Sequence, residues 1–446
     1  MHPATSANSI DPLDIDLESS VQSACLIPIE HGNRPTTHAS SIMIPFLSKL
    51  ENSDDLRSFR VSLKWCTLDH STWLGKSISF CTFIFLTIVA PLVTSLLVQY
   101  QDSSLSNDPI SFNKLVQFPE SALALIGFFT LTQFFRRYTL GQLLFLDGLE
   151  GDSSYVQRGY RHELGRAFRY LACILLPSFI VELAHKIVFF SKVTVLVPYI
   201  NSEIAAKIVV GVLVLWSWVY RTGVLLLVCI LFRLTCELQI LRFEGFNKLL
   251  EGCGSDASVI FNEHIRIRTQ LSATSHRYRC FIIGCLLTLT VSQFGALLLV
   301  LESEETKTFF NSGDLIVCSA VELSGFCLCL LGAAKITHRA QGIASIATRW
   351  HMTVSCAFST PDHGKELNGT HGDNNSDSDH LIPVPSSQEP SSFQIREALV
   401  AYLQHNSGGI TVYGFALDRG ALHTLFAFEF SLVLWILSKV TVLPSS

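Results

Sequence analysis

Seven stretches of mostly apolar residues punctuate this chain: roughly Ser77–Gln99, Leu115–Phe135, Tyr170–Phe190, Ile208–Phe232, Cys280–Leu301, Leu315–Ala334 and Arg419–Ser438. Each has about 20 residues, the length an α-helix needs to cross a ~30 Å hydrocarbon core. Several run on into polar sequence that keeps a helical period. After the fourth, Leu234, Leu238, Leu241 and Leu249 alternate with Arg242, Glu244 and Lys248, and Gly252 and Gly254 then break the helix. Ser255–Arg279 resumes it, Lys335–His351 repeats the pattern after the sixth stretch, and Phe393–His405 is a further amphipathic helix stopped by Gly408-Gly409. These pieces are too polar to face lipid and too periodic for loops. They predict a helical bundle beneath the membrane. Residues 1–55 read as a disordered tail and 356–392 as a disordered acidic insertion. Between them, 56–355 holds spans one to six, and 393–446 holds a cytoplasmic helix and the seventh span.

Charge orients these spans. Lys and Arg number six before the first span, then one, six, three, seven, one and six in successive connections, and one after the last span, counting Lys186 just inside the third span and Arg419 at the start of the seventh with their neighbouring connections. Basic residues stay on the cytoplasmic side during insertion. The N-terminus is therefore expected in the cytoplasm and the C-terminus outside. Residues 1–50 lack a basic start followed by an apolar run, so the first span is expected to act as its own insertion signal. The chain is 49% hydrophobic and 15% charged, with net charge −5. That balance excludes an ordinary soluble domain and gives no sign of a nucleic-acid partner. None of the 13 cysteines falls in a predicted outer connection, so they are read as small apolar or reduced residues, with no zinc spacing. The sequons at Asn368 and Asn374 fall on the predicted cytoplasmic side.

Catalytic chemistry is not indicated. A Gly-rich phosphate loop and an HExxH pair are both missing, the histidines are scattered, and neither a cofactor nor a metal is expected. The informative residues are ionisable groups inside spans, where each costs at least ~2.5–3.5 kcal/mol at the bilayer centre. Glu182, His185 and Arg221 are the candidate ligand pocket, with Arg221 paired to Glu182 or Glu322 as the structural alternative. Lys186 is expected to snorkel to the interface. In the last span, Glu429, Val433 and Leu437 share one helical face and are the candidate pore and gate. Pro91 and Pro177 should kink spans one and three. Trp73, Tyr199 and Tyr278 read as interfacial anchors. Asp102, Asp108, Glu302, Glu304 and Glu305 make the outer connections acidic.

Phe232-Arg233-Leu234, Ser275-His276-Arg277-Tyr278-Arg279, Lys335-Ile336-Thr337-His338, Ile410-Thr411-Val412-Tyr413-Gly414-Phe415 and Leu417-Asp418-Arg419 carry a resemblance. Over about 57–440 the chain resembles a plant family of uncharacterised seven-pass proteins, itself similar to insect gustatory and odorant receptors. That resemblance implies a homotetrameric cation channel opened by small molecules. The last helix of each subunit would line the pore, cytoplasmic helix ends would anchor the tetramer, and a ligand pocket would lie in the outer half of the membrane. The last span departs from insect gustatory receptors: Phe430–Leu437 lacks their Thr-Tyr and Gln-Phe signature.

The expectation is an all-α membrane protein of insect chemoreceptor type with seven transmembrane helices and a cytoplasmic helical anchor. Its function is a ligand-gated, non-selective cation channel or small-molecule sensor, and its partners are lipid bilayer, ligand, cations and further copies of itself. The alternative is a non-conducting membrane scaffold that recruits proteins through its disordered segments. Which membrane it occupies is not encoded in these features.

Overall fold

Pro91 removes a backbone donor and pushes its ring against the carbonyl of Thr87, four residues earlier. In the computed structural model the helix answers with a π-helical turn, Phe85–Val89, set between Trp73–Ile84 and Ala90–Leu97. These three pieces form α1. The structure describes residues 73–100, 109–138, 142, 149–195, 202–252, 256–302, 309–359, 392–406 and 408–441. The expectations for the tail 1–55, for 360–391 with its sequons, and for Tyr199, Asp102, Asp108, Glu304 and Glu305 lie outside them.

The remaining helices are α2 (Pro109–Arg137), α3 (Ser154–Lys192), α4 (Glu203–Glu251), α5 (Ala257–Glu302), α6 (Phe309–Ser359), α7 (Ser392–His405) and α8 (Arg419–Thr441). Among the described residues, six helices are long and apolar enough to cross a membrane: Leu74–Leu97, Gln117–Arg137, Ser154–Ser191, Glu203–Glu251, Ala257–Gly295 and Val317–Cys356. They match the first six expected spans. The protein is a multi-pass, nearly all-helical membrane protein. Helix α6 runs on to Ser359, a little past the expected start of the insertion.

Helix α4 is the hub. Its apolar window is 83% buried within the chain and that of α6 is 72%, against 28% for α1, which keeps an outward apolar surface. Ser202 caps the start of α4, accepting from the Ala205 amide at 3.5 Å, and Glu203 in the first turn complements the helix dipole. Gly252 ends it as expected, donating its N–H to the Lys248 carbonyl at 3.1 Å. Helices α4, α5 and α6 hold 49, 46 and 51 residues. At 1.5 Å per residue each is about 70 Å long, roughly twice the hydrocarbon thickness. Beyond the apolar stretches Phe246, Ile260, Ile267, Ile343, Trp350 and Leu403 join α4, α5, α6 and α7 into the same core. The expected polar-flanked bundle is therefore a direct continuation of the membrane helices.

At the opposite end, β1 (Val98–Tyr100) pairs antiparallel with β2 (Val193–Val195), tying the exits of α1 and α3 together. A second hairpin joins α7 to α8: β3 (Thr411–Val412) and β4 (Phe415–Ala416). Its two turn residues, Tyr413 (φ 49°) and Gly414 (φ 88°), both have positive φ, the requirement of a type I′ turn.

Glycines let the central helices approach. A Cβ on Gly325 of α6 would lie 2.7 Å from Leu226 of α4, and one on Gly332 would lie 3.1 Å from the Cys236 Cβ. Gly325→Val should therefore push α6 off α4, at a cost of about 1–3 kcal/mol from overpacking. A lowered unfolding midpoint in lipid nanodiscs is the expected reading, and an unchanged midpoint would refute the close contact.

Just before α3, Asp152 is buried between two long helices. Its carboxylate accepts from Arg242 of α4 through Nε (2.9 Å) and Nη2 (2.7 Å), and from Arg266 Nη2 of α5 (2.7 Å). Arg242 also donates from Nη1 to Gln270 Oε1 at 2.5 Å, and Arg266 pairs with Glu263 at 2.6 Å.

Candidate functional site: a buried polar centre among the spans

The π-turn of α1 frees backbone carbonyls that must be satisfied inside the protein. Ser217 of α4 donates to the Leu86 carbonyl at 2.5 Å, and Ser121 of α2 to the Thr87 carbonyl at 3.2 Å. One helical turn along α4 from Ser217 stands Arg221. Its Nη2 pairs with Glu120 Oε2 of α2 at 3.0 Å, and both side chains are almost wholly buried. Its Nη1 donates to Ser121 Oγ (3.3 Å) and to the Gln117 carbonyl (3.4 Å). The Cys318 thiol of α6 donates to the other Glu120 oxygen. Glu322, one turn further along α6, is also buried and lies within electrostatic reach of Glu120 and Arg221.

Four helices thus converge on one ionic centre: α1 through its freed carbonyls, α2 through Glu120 and Ser121, α4 through Arg221, and α6 through Cys318 and Glu322. Pro91, Glu120 and Cys318 all lie in the parts of α1, α2 and α6 nearer the β1–β2 end, so the centre sits off the bundle's middle toward that hairpin. Trp218 packs beside it, in an apolar cluster with Leu226, Val317, Cys318 and Val321, and with Leu175 and Phe179 of α3.

Sequence reasoning placed Arg221 as a buried charge and named Glu322, which does lie within its electrostatic reach, but it missed the residue that forms the ion pair. The bond is to Glu120, whereas Glu182 pairs with Lys186 one turn along α3 at 3.4 Å. Lys186 is buried beside that carboxylate, and its ammonium stands 5.7 Å from the Phe189 ring, so it does not snorkel. His185 is buried on the same helix. Glu182 thus pairs with Lys186 along α3, while Arg221 joins the centre among α1, α2, α4 and α6. Glu120 was overlooked although it lies inside the second apolar stretch. A tally of ionisable residues within each span would have found it.

The last helix also turns differently from expectation. Glu429 is 2% exposed and accepts from Thr290 Oγ1 of α5 at 2.8 Å. Its carboxylate is thus turned toward α5 of its own chain. Val433, four residues on, is half-buried, and Leu437 belongs to the same helix with its side chain outside the described set. The exposed face of α8 instead carries Thr424, Ala427, Ser431 and Leu434.

Residues from four of the motifs that carry the resemblance meet in space where the apolar stretches give way to polar helix. Tyr278, expected as an interfacial anchor, is fully buried between Phe232 (4.7 Å) and Phe134 (5.1 Å). The Ile410 amide donates to Thr337 Oγ1 at 3.2 Å, and the Thr411 amide to Ser275 Oγ at 3.2 Å. The Arg279 guanidinium lies 5.3 Å from the Tyr413 ring. The hairpin leading into α8 is thus fastened to α5 and α6 by side-chain hydroxyls.

No curated protein matches the chain. Among solved structures, the insect olfactory receptor OR5 from Machilis hrabei shares the fold, with TM-score 0.52 at 10% identity over 86% of this chain and 99% of that one. The same receptor in complex with eugenol gives TM-score 0.47 at 11% identity over 86% and 99%. In sequence, a family model matches residues 54–428, and the chain belongs to that family, described as "Protein of unknown function (DUF3537)".

Proposed function

We propose that the chain is a seven-pass subunit of a homotetrameric, ligand-gated, non-selective cation channel, with its N-terminus in the cytoplasm and its C-terminus outside. The observation that carries this reading is the fold likeness to an insect olfactory receptor, which spans almost the whole of that receptor. The charge alternation along the sequence supports the orientation. The polar centre around Arg221, in the half of the bundle nearer β1–β2, is the proposed ligand site. Glu182 and His185 flank it on α3.

In this reading α8 is the seventh span, and its exposed face, Thr424, Ala427, Ser431 and Leu434, lines the pore in place of Glu429 and Val433. Leu434 is 62% exposed, and a ring of such side chains gates by dewetting. Apolar side chains exposed on polar helix, among them Val259, Phe261, Ile265, Met352, Phe393 and Ile395, are the proposed contacts between subunits. The reading assigns no catalysis to the chain.

Current recorded from the full-length protein in planar bilayers tests it. The expected result is cation current that Leu434→Lys lowers several-fold, because a ring of ammonium groups repels cations. An intact tetramer silent under every ligand tried would overturn conduction and leave the scaffold reading. A tag after Ser446 that stays shielded from reagents applied to intact cells would overturn the topology.

A further inference from the structure

Two buried donors on one face of α4 have no acceptor among the described residues. Trp218 is 2% exposed and its indole Nε1–H is unpartnered; Arg221 is 4% exposed and its Nε–H is likewise unpartnered. They are three residues apart and so share a helix face. Both lie around Cys318: the indole shares its apolar cluster, and the guanidinium pairs with the carboxylate that the thiol contacts. The indole belongs to an apolar cluster with Leu226, Val317 and Val321, against which Leu175 and Phe179 pack.

A buried donor left unsatisfied carries its full desolvation penalty, whereas apolar walls alone ask only for apolar bulk. The Nη atoms of Arg221 are already committed to Glu120, Ser121 and Gln117. What remains on offer is therefore two N–H groups beside an apolar wall, with Glu120 engaged by Arg221 and the Cys318 thiol. From this we infer that the site takes a neutral, largely apolar small molecule bearing one hydrogen-bond-accepting oxygen, and that Trp218 and Arg221 read that oxygen. A carbonyl oxygen, with two lone pairs, serves both donors at once. The inference rests on the proposed ligand site and adds the chemical class of what binds there. It also makes Trp218 a specificity residue: an alkane or alkene of the same shape fills the apolar wall but leaves both N–H groups bare.

A matched pair of probes tests this on the unmodified full-length protein in lipid nanodiscs. Acetophenone and α-methylstyrene have nearly the same shape, with C=O in one replaced by C=CH2 in the other. Binding is measured by saturation-transfer NMR against empty nanodiscs, with each affinity referred to the probe's concentration in the lipid phase. Two modest hydrogen bonds predict about tenfold tighter binding of the ketone. The indole proton of Trp218, in protein labelled with 15N-tryptophan, should shift with the ketone and not with the alkene. Trp218→Phe should shrink the ketone's preference over the alkene to about threefold. Equal affinities for the two probes in the unmodified protein would overturn the inference while the ligand site stands; this is also the result if water already satisfies both donors. Binding of neither probe would overturn the ligand site and the inference together. The wild-type comparison decides the matter even if Trp218→Phe fails to fold.

Discussion

Arg221→Met should be among the most damaging single substitutions in this chain. It removes the only guanidinium paired with Glu120 among the described residues and leaves a carboxylate buried with Glu322 nearby. Breaking a buried pair from one side costs about 3–5 kcal/mol, far more than the pair contributes as a whole, because the surviving charge keeps its desolvation penalty. The double variant Glu120→Gln with Arg221→Met should regain most of that loss, since neither position then carries an ion. Ser121→Ala, by contrast, takes away a weak 3.3 Å contact and the hydroxyl donated to the Thr87 carbonyl, and should cost about 1 kcal/mol. Unfolding midpoints in nanodiscs measure all three. A midpoint for Arg221→Met within a degree or two of wild type would show that the pair is not buried as described.

The second large effect is expected at Asp152. Its carboxylate is the hub for Arg242, whose side chain is 2% exposed, and for Arg266, whose side chain is 36% exposed. Asp152→Ala strands Arg242 in the interior, and the expected loss is again about 3–5 kcal/mol. Arg266→Ala is the informative contrast. Its guanidinium is one-third exposed and has a second partner in Glu263, so its removal should cost about 1 kcal/mol or less. A protein in which both substitutions cost the same would mean that the hub is wetter than its geometry implies. Because Asp152 joins the start of α3 to α4 and α5, its loss should also raise amide exchange at Ser154–Arg158 ahead of the rest of α3.

The spans and their helical extensions were legible because they rest on long apolar runs and on periods that local sequence carries by itself. The break at Gly252 and the stop at Gly408-Gly409 were legible for the same reason. Partner choice was not. Arg221 and Glu120 stand 101 residues apart in the chain, and nothing local says that α2 rather than α3 faces that side of α4. Lys186 was read from its distance to a span end, yet the deciding fact is a carboxylate one turn earlier on the same helix. Asp152 sits in a polar connection where any acid looks solvated; only the approach of two helices buries it. At Glu429 the period of α8 was visible, but its contact with Thr290 depends on the phase of α8 against α5, which local sequence does not carry. Pro91 announced a distortion, but the π-turn and the two serines that satisfy it emerged only from packing.

Helices α4, α5 and α6 pass without interruption from apolar to polar surroundings. A continuous helix bends only gently, so it acts mechanically as a lever. Tilting such a shaft by 5° about the polar centre sweeps its far tip through about 3–4 Å, given roughly 40 Å of length below that fulcrum. Small strains at the ionic centre are thereby geared up into displacements as large as a side chain at the distal tips, without any joint in between.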